Sequence, residues 1–339
     1  MAEEKSRAWM WILAIAIVMA LAVGGYFWLS QEQPEKYTGP VAKVTIGVGV
    51  APLSVLIWVA ENEGYFADNG LDVEMKEYLS GKAALADLID GKVDIATITE
   101  FGFMSKSFDE KDIRILSSIT AATINSLIAR KDKGIEEISD LKGKRIAVTS
   151  GTEAEFFLGT FLIFNDISIN DVAIVYLEPR DIVQSVSDGE VDAAMTWEPY
   201  VYKTRTNLGE NAIVWPGQSG QESYWLFVSK EDFITRNPGM VKRSLKALLQ
   251  AEEFVKRNKD GSKRILVSHD VDAQFVDDIW QKLDYTISLS QALLITMEDG
   301  AEWRIKNNLT DATEVPNYLD YIYLDALEEV KPEAVTVIR

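Results

Sequence analysis

Two stretches of this sequence, SDGEVDAAMTWEPY at residues 187–200 and IDGKVDIATITEF at residues 89–101, follow one pattern. Each begins with an Asp-Gly pair typical of a helix end, continues as a short apolar strand, and then reaches a glutamate. The alignment matches Asp90 with Asp188, Gly91 with Gly189, Val93 with Val191, Asp94 with Asp192, Ala96 with Ala194 and Glu100 with Glu198. The repetition indicates that the chain contains two related halves, each with a carboxylate at a strand end.

The composition is that of a globular protein long enough to form two hydrophobic cores. Of its 339 residues, 47% are hydrophobic and 26% are charged. The net charge of −19, from 53 acidic and 34 basic residues, argues against binding nucleic acid or an anionic membrane surface through bulk charge. Because cysteine is absent, disulfides, thiolate metal sites, a cysteine nucleophile and a lipid-modified cysteine are excluded.

The N-terminal segment predicts an extracytoplasmic location, in the periplasm or at the cell surface. Residues 8–29 form an uncharged run that, as a helix rising about 1.5 Å per residue, would span about 33 Å. Tryptophan and tyrosine flank both ends, as in a transmembrane helix. We therefore expect a cytoplasmic terminus at residues 1–7, an anchor at residues 8–29, and a polar linker at residues 30–40. A cleaved signal peptide is the alternative, since Ala-Leu-Ala at residues 20–22 is an acceptable cleavage site.

From residue 41 onward the hydrophobic pattern alternates between strands and helices. Strands are predicted at residues 42–50, 71–79, 93–98, 113–119, 144–150, 172–177, 191–195 and 211–215. Helices are predicted at residues 54–62, 83–89, 153–164, 182–187, 238–256, 272–283 and 290–306. This alternation is typical of an α/β protein whose parallel sheets are covered on both faces.

The ends of the predicted strands carry candidate binding residues, because ligands of open parallel sheets bind beyond the carboxyl ends of the strands. This principle places Glu100 with Phe101, and Trp197 with Glu198, on facing walls of a cleft. At a third strand end, the sequence SGT at residues 150–152 offers backbone N–H groups and hydroxyls that suit a carboxylate, sulfonate or phosphate. The structural alternative is that a hydroxyl only caps the helix and that Glu198 only stabilises a first helical turn.

Several motifs resemble one protein family. They read ENEGYFADNGLDVEM from residue 61, DLKGKRIAVTSGT from 140, GEVDAAMTWEPY from 189, RNPGMVKRSLKALLQAEEFV from 236, and PNYLDYIYLDALEEVKPEAV from 316. In this order and spacing they resemble the extracytoplasmic solute-binding proteins of ABC importers, in the nitrate, sulfonate, taurine and thiamine-pyrimidine-precursor (NMT1/THI5-like) group. The resemblance runs from about residue 44 to the C-terminus.

The resemblance implies a type II periplasmic-binding fold, in which two α/β lobes enclose a cleft. Lobe 1 would comprise residues 41–121 and 226–339, and lobe 2 residues 122–225, with crossings near Ala121 and Trp225. A small-molecule ligand would pass to an ABC permease subunit with its cytoplasmic ATPase. We expect a monomer without cofactor, metal, catalytic residues or nucleic acid. The cleft residues carried over are Pro52, Leu53, Ser54, Ser80, Gly81, Glu100, Phe101, Ser150, Gly151, Thr152, Trp197 and Glu198.

Other motifs lack the residues that their chemistry needs. Pro52 stands where a dinucleotide-binding fingerprint requires its third glycine. His269 is the only histidine, so a histidine metal cluster is impossible and a surface residue at a helix start is the simpler interpretation. Two other function classes stay open, namely an enzyme on the same fold, such as the pyrimidine-synthase branch, and the sensor domain of a receptor. The predicted anchor argues against the enzyme, and the sensor should continue into a second span or a signalling module.

The repeated glutamates predict the kind of ligand. If Glu100 and Glu198 both face the cleft, closure brings like charges together, which costs about 3 kcal/mol at about 5 Å and a dielectric constant of about 20. An ammonium group between the two glutamates would make closure favourable instead of costly. The acidic end of the ligand can then bind at residues 150–152. We therefore expect a taurine-like aminosulfonate ahead of simple alkanesulfonates, with a thiamine-pyrimidine precursor as an alternative. Nitrate is the least expected ligand, because the carboxylates of Glu153 and Glu155 lie next to the predicted anion site and disfavour a small anion.

Overall fold

The structure is a computed structural model that describes residues 36–218, 220–269 and 271–339. Residues Pro40–Arg339 form one compact unit, to which both lobes belong. Within the described part of the chain, no helix is long and apolar enough to cross a membrane. The anchor predicted at residues 8–29 lies outside the described residues, as does the linker up to residue 35.

Strands and helices alternate over most of this unit. The strands are β1 (Ala42–Gly49), β2 (Leu71–Tyr78), β3 (Ile95–Thr99), β4 (Ile113–Ala122), β5 (Asn125–Arg130), β6 (Arg145–Val148), β7 (Ala173–Tyr176), β8 (Ala193–Trp197), β9 (Ala212–Pro216), β10 (Ser223–Lys230) and β11 (Leu283–Asp284). The helices are α1 (Val55–Asn62), α2 (Tyr65–Asp68), α3 (Gly81–Ile89), α4 (Glu100–Ser107), α5 (Glu153–Phe164), α6 (Pro179–Asp188), α7 (Tyr200–Leu208), α8 (Glu231–Arg236), α9 (Pro238–Arg257), α10 (Lys259–Ser268), α11 (Ala273–Ile279), α12 (Gln291–Lys306) and α13 (Asp325–Val330).

The first lobe is built on a six-stranded sheet with the order β11-β4-β10-β3-β1-β2. In this sheet β1 runs parallel to β2 and β3, whereas β10 runs antiparallel to β3 and β4. Helix α3 packs on β1 and β3, and the long helix α9 packs on α1 and α13. The C-terminal helices therefore belong to this lobe and cover its sheet.

The second lobe is built on a five-stranded sheet with the order β7-β6-β8-β5-β9. Here β6 runs parallel to β7 and β8, whereas β5 runs antiparallel to β8 and β9. Helices α6 and α7 pack on one side of the sheet, over a small apolar core that contains Ile128, Ile182 and Val186. Helix α5 packs on β5, β6 and β8.

Both sheets are mixed, so the prediction of parallel sheets was wrong. Strand β11 runs antiparallel to β4, and β5 and β10, which were not among the predicted strands, run antiparallel to both of their neighbours. An apolar run predicts a buried strand but not its direction. These two strands begin at the crossings between the lobes and run away from them, whereas β1, β3, β6 and β8 end there. A strand that enters a lobe at the cleft must run opposite to strands that end at the cleft.

The chain crosses between the lobes twice. The first crossing, Thr123 and Ile124, joins β4 to β5, and the second, at residues 217–222, joins β9 to β10. Because β10 begins at Ser223, Trp225 lies in the first sheet, and the second crossing precedes the position predicted for it. The Gln218 side chain ties the crossings together by accepting from the Asn125 N–H at 2.8 Å and donating to the Ala122 carbonyl at 3.1 Å.

The repeated aspartates occupy equivalent positions in the two sheets. Asp94 accepts a hydrogen bond of 2.8 Å from the backbone N–H of Thr45, near the start of β1. Asp192 accepts one of 2.9 Å from the backbone N–H of Arg145, at the start of β6. Each aspartate therefore holds a neighbouring strand near its start, at the opposite end of the sheet from the cleft.

Candidate ligand-binding site

The turn after β1 carries three of the residues predicted to line the cleft. Pro52–Ser54 is a buried 3-10 turn. The Ser54 hydroxyl donates to the Gly49 carbonyl at 2.7 Å and accepts from the Trp225 indole N–H at 2.9 Å. The Leu53 carbonyl accepts from the Thr120 hydroxyl at 2.7 Å. Backbone and side-chain bonds thus hold this turn in one position.

Helix α3 begins beside that turn. Ser80 is exposed at its N-cap and accepts a hydrogen bond of 3.3 Å from the Ala83 N–H. Gly81 is buried, and a Cβ there would lie 2.7 Å from the Ile98 Cα and 3.0 Å from the Trp225 ring. Close packing between the helix start, β3 and the indole therefore requires glycine at position 81.

Two carboxyl groups from different lobes meet on β10. Glu100, the first residue of α4, is 1% exposed and accepts a hydrogen bond of 2.6 Å from the Tyr224 N–H. Glu153, the first residue of α5, accepts from the Ser223 hydroxyl. Since Ser223 and Tyr224 are adjacent in the chain, these two bonds bring the carboxyl groups together between the lobes.

Burial raises the pKa values of both carboxyl groups, and the charge of one acts on the other. Burial raises the pKa of Glu100 well above its usual range, and the charge of Glu153 raises it further. Burial also raises the pKa of Glu153, to about 7, although bonds from Ser223 and Asn125 act in the opposite direction. The acid pair therefore retains a proton near neutral pH, since two facing carboxylates do not both ionise readily.

Acceptor atoms without partners surround this acid pair. Glu100 Oε1 is buried with no hydrogen-bond partner, and so is Oδ1 of Asn125, a residue that is 2% exposed. The Asn125 amide nitrogen is directed to the Ser223 hydroxyl at 3.5 Å and also bonds Glu153. The site thus presents unsatisfied acceptors, which a hydrogen-bond donor would complete.

The predicted anion site lies at the start of α5. Ser150 is exposed, and Gly151 adopts the left-handed conformation with a φ of 70°. Thr152 occupies the N-cap, but its hydroxyl donates to the Thr149 carbonyl at 2.6 Å instead of capping the helix. The Gly151 N–H donates to the Glu155 carboxylate at 2.7 Å, so the protein's own acid already uses this donor.

An arginine from the first lobe covers the same helix start. Arg304, near the end of α12, donates to the Gly151 carbonyl at 3.0 Å and to the Leu309 carbonyl at 2.8 Å. Its buried Nε–H has no partner. Burial lowers the pKa of Arg304, while the charge of Glu155 raises it. The sequence analysis did not identify Arg304. Helix α12 is far from α5 along the chain, and only folding brings this arginine to the predicted anion site.

Aromatic side chains join the lobes between these polar groups. Phe101 of α4, Phe156 of α5 and Trp303 of α12 lie with ring centroids 5.9 to 6.4 Å apart. Such separations are typical of tilted and edge-on aromatic pairs, which contribute about 0.5–1.5 kcal/mol beyond their buried area. Trp303 of the first lobe therefore contacts the second lobe through Phe156.

The second predicted glutamate has a different partner. Glu198 accepts a hydrogen bond of 2.6 Å from Lys282 of the first lobe and one of 2.9 Å from the Tyr202 N–H. Its side chain is 5% exposed, so the ion pair is largely buried on that side. The prediction that Glu198 would pair with Glu100 therefore needs correction. The acid that faces Glu100 is Glu153.

Trp197 precedes Glu198 and is partly exposed at the end of β8. Its ring stands edge-on to Tyr200, with the ring centroids 5.7 Å apart. Within residues 36–218, 220–269 and 271–339, no group of three metal-ligating side chains comes together. His269 stacks on Trp58 at 4.4 Å and lies 3.2 Å from Glu77, far along the chain from the acid pair.

Comparison with known proteins identifies the family. The two lobes and the buried polar groups between them have the form of a solute-binding protein. The family model described as NMT1/THI5 like matches residues 52–261, and the chain belongs to that family. The family predicted from the sequence motifs is therefore confirmed.

Individual relatives extend over most of the chain. One relative is a protein of Bacillus subtilis (strain 168) whose name refers to the binding of aliphatic sulfonates. It is 24% identical over 329 residues, which are 94% of this chain and 96% of that protein. The taurine-binding periplasmic protein of Escherichia coli (strain K12) is 27% identical over 207 residues, 60% of this chain and 63% of that protein. The periplasmic aliphatic sulphonate binding protein SsuA from Escherichia coli superposes with a TM-score of 0.72 at 16% identity, over 85% of this chain and 99% of that one. The predicted two-lobed periplasmic-binding fold is confirmed by this similarity.

Proposed function

We propose that the protein is the substrate-binding component of an ABC importer and that it captures a small organic sulfonate between its lobes. The observation that carries the proposal is the partnerless Nε–H of Arg304 at the start of α5. A guanidinium beside a helix N-terminus favours an anion. The kinship with proteins named for aliphatic sulfonates and taurine supports a sulfonate, and we place a taurine-like aminosulfonate first among them.

A sulfonate matches the donors available at this place. Its three oxygens can accept from Arg304, from the Ser150 hydroxyl and from backbone N–H groups at the start of α5. Glu155 competes for the same donors because it already accepts the Gly151 N–H. This competition disfavours nitrate, a small anion with no second group through which to gain further contacts.

Binding requires that the lobes open and close. Arg304 on Gly151, Ser223 on Glu153 and the aromatic contact of Phe101 with Phe156 all join one lobe to the other. We infer that bending at the two crossings breaks these contacts together and that the ligand favours the closed state by adding contacts there. Small-angle scattering should then show a smaller radius of gyration at saturating ligand.

The proposal includes the location and the partners. We infer that residues 8–29 anchor the protein in the cytoplasmic membrane, with the body outside as a monomer without a cofactor. The linker at residues 30–40, at up to about 3.3 Å per residue, would keep the body within about 35 Å of the bilayer and of a membrane permease. The permease and its ATPase would then receive the solute without the body leaving the membrane surface.

Thermal unfolding of the full chain, purified in mild detergent, tests the ligand class. Taurine, ethanesulfonate, nitrate and a thiamine-pyrimidine precursor are each added in excess. A solute that binds only the folded state stabilises it by about 2.7 kcal/mol when present at about 100 times its Kd. We expect the sulfonates to raise the midpoint. Stabilisation by nitrate alone, or by the pyrimidine alone, would overturn the sulfonate assignment.

A further inference from the structure

The acid pair between the lobes lies on two consecutive residues of one strand. The Ser223 hydroxyl holds Glu153 of the second lobe, and the Tyr224 N–H holds Glu100 of the first lobe at 2.6 Å. The two donors belong to adjacent residues, and the charge of Glu153 raises the pKa of Glu100, so the two carboxyl groups lie near one another. Glu100 is buried, and Glu153 is largely but not completely so.

The atoms around the pair call for a donor. Glu100 Oε1 and Asn125 Oδ1 are both buried and both lack a hydrogen-bond partner, although acceptors of this kind are almost always satisfied in folded proteins. A sulfonate, phosphate or nitrate oxygen would bring a further acceptor and a further negative charge to the same place. A group with several N–H donors and a positive charge satisfies these atoms and offsets the repulsion of the acids.

We propose that Glu100 and Glu153, one from each lobe, form a cation subsite that receives a protonated amine of the bound solute. The inference rests on the proposed function, since it assigns the second pole of a ligand whose sulfonate lies against Arg304. An ammonium group has three N–H donors, and Glu100 Oε1, Asn125 Oδ1 and a Glu153 oxygen are the acceptors that they would meet. The solute is then a zwitterion, and a sulfonate without an amine leaves the subsite unfilled.

Binding of the amine displaces a proton from the pair. The pKa of Glu153 lies at about 7 and that of Glu100 is also raised, so below about pH 7 at least one carboxyl group is protonated. The ammonium takes the place of this proton, which passes to solvent, and the net charge of pair and occupant is unchanged. The other titratable groups at this place are Tyr224, with a pKa raised to about 12, and Glu222 beside it.

Calorimetry on the full chain in mild detergent tests the subsite with taurine and ethanesulfonate as probes. At about pH 6, in two buffers that differ in ionisation enthalpy, taurine should release up to about one proton and ethanesulfonate none. Below the pKa of Glu153, the Kd for taurine should weaken by up to about tenfold for each pH unit, while the Kd for ethanesulfonate changes little. These measurements need no variant.

Variants then locate the effect. Glu153→Gln should weaken taurine binding about tenfold or more and abolish its proton release, with little change for ethanesulfonate. Glu210→Gln, an exposed acid at the far end of the second lobe, is the matched control and should change neither ligand. Equal effects on both ligands, or taurine binding without proton release, would overturn the subsite while ethanesulfonate binding preserves the proposed function. If neither sulfonate binds, the proposed function and the subsite are both overturned.

Discussion

The guanidinium of Arg304 donates a hydrogen bond of 3.0 Å to the carbonyl of Gly151, and this bond connects the last turn of α12 to the start of α5 in the other lobe. The same arginine carries a buried Nε–H with no partner. One side chain thus joins the two lobes and offers a charged donor at the place where an anion is expected.

Replacement of Arg304 should weaken every sulfonate. Arg304→Gln removes a charge-assisted donor, for which about 1.5–3 kcal/mol is typical, so the Kd should rise about tenfold or more. Taurine and ethanesulfonate should lose affinity equally, in contrast to the selective effect at Glu153. The measurement is calorimetric titration, with Arg257→Gln at the exposed end of α9 as the control. A loss confined to taurine would contradict the placement of the sulfonate.

The empty protein should open as the pH rises. In the closed state the pKa of Glu153 is raised from 4.5 to about 7, and opening to solvent returns it toward its ordinary value. The closed state therefore binds more protons, so its stabilisation is fully present below about pH 4.5 and is lost as the pH rises through about 7. The radius of gyration from small-angle scattering should be larger at about pH 8 than at about pH 5. Glu153→Gln should remove this dependence, and an unchanged difference in that variant would assign it to another group.

Removal of Lys282 should destabilise the fold more than removal of the whole pair. Lys282→Met leaves the Glu198 carboxylate, 5% exposed, without its charged partner. Because the lysine is 31% exposed and water can reach it, we expect a loss of about 1–3 kcal/mol and not the larger cost of a fully buried pair. The double variant with Glu198→Gln should recover part of that loss. Urea unfolding measures both, and full additivity of the two changes would show that the ion pair carries no coupling.

Gly81→Ala should destabilise the first lobe through overpacking. The added methyl group would lie 2.7 Å from the Ile98 Cα and 2.9 Å from the Thr97 carbonyl, and backbone atoms cannot move aside as a side chain can. Overpacking of this kind costs about 1–3 kcal/mol. Gly239→Ala, where the new methyl group meets nothing within 4 Å, is the matched control in helix α9 and should be neutral or stabilising. Equal unfolding midpoints for both variants would contradict the tight contact.

The predicted anchor can be tested by fractionation. If residues 8–29 are retained, the protein should stay in the membrane fraction after a high-salt wash and keep its N-terminus. A soluble protein that begins near residue 23 would instead indicate a cleaved signal peptide. Peptide mass analysis of the N-terminus distinguishes the two results.

The strand and helix pattern could be predicted in most places, because buried strands and their helices have short apolar runs bounded by turn residues. The equivalent positions of Asp94 and Asp192 could also be predicted, since each stands at the entry of a strand in a repeated motif. The direction of β5 and β10 could not be predicted, because an apolar run does not show whether a strand is parallel or antiparallel to its neighbours. Lys282 and Arg304 also could not be assigned, since each meets its partner more than eighty residues away along the chain and only the packed lobes bring them together.

The repeat that ends in Glu100 and Glu198 has one further consequence. Two lobes copied from one pattern would bind a ligand equally well in either direction, because each wall would present the same acid. Here Lys282 neutralises Glu198, and Glu153 from a different strand end takes the position opposite Glu100. The symmetry of the repeat is therefore broken. Under the proposed function, a zwitterionic solute would be held in one orientation, and the permease would always meet the same end of it.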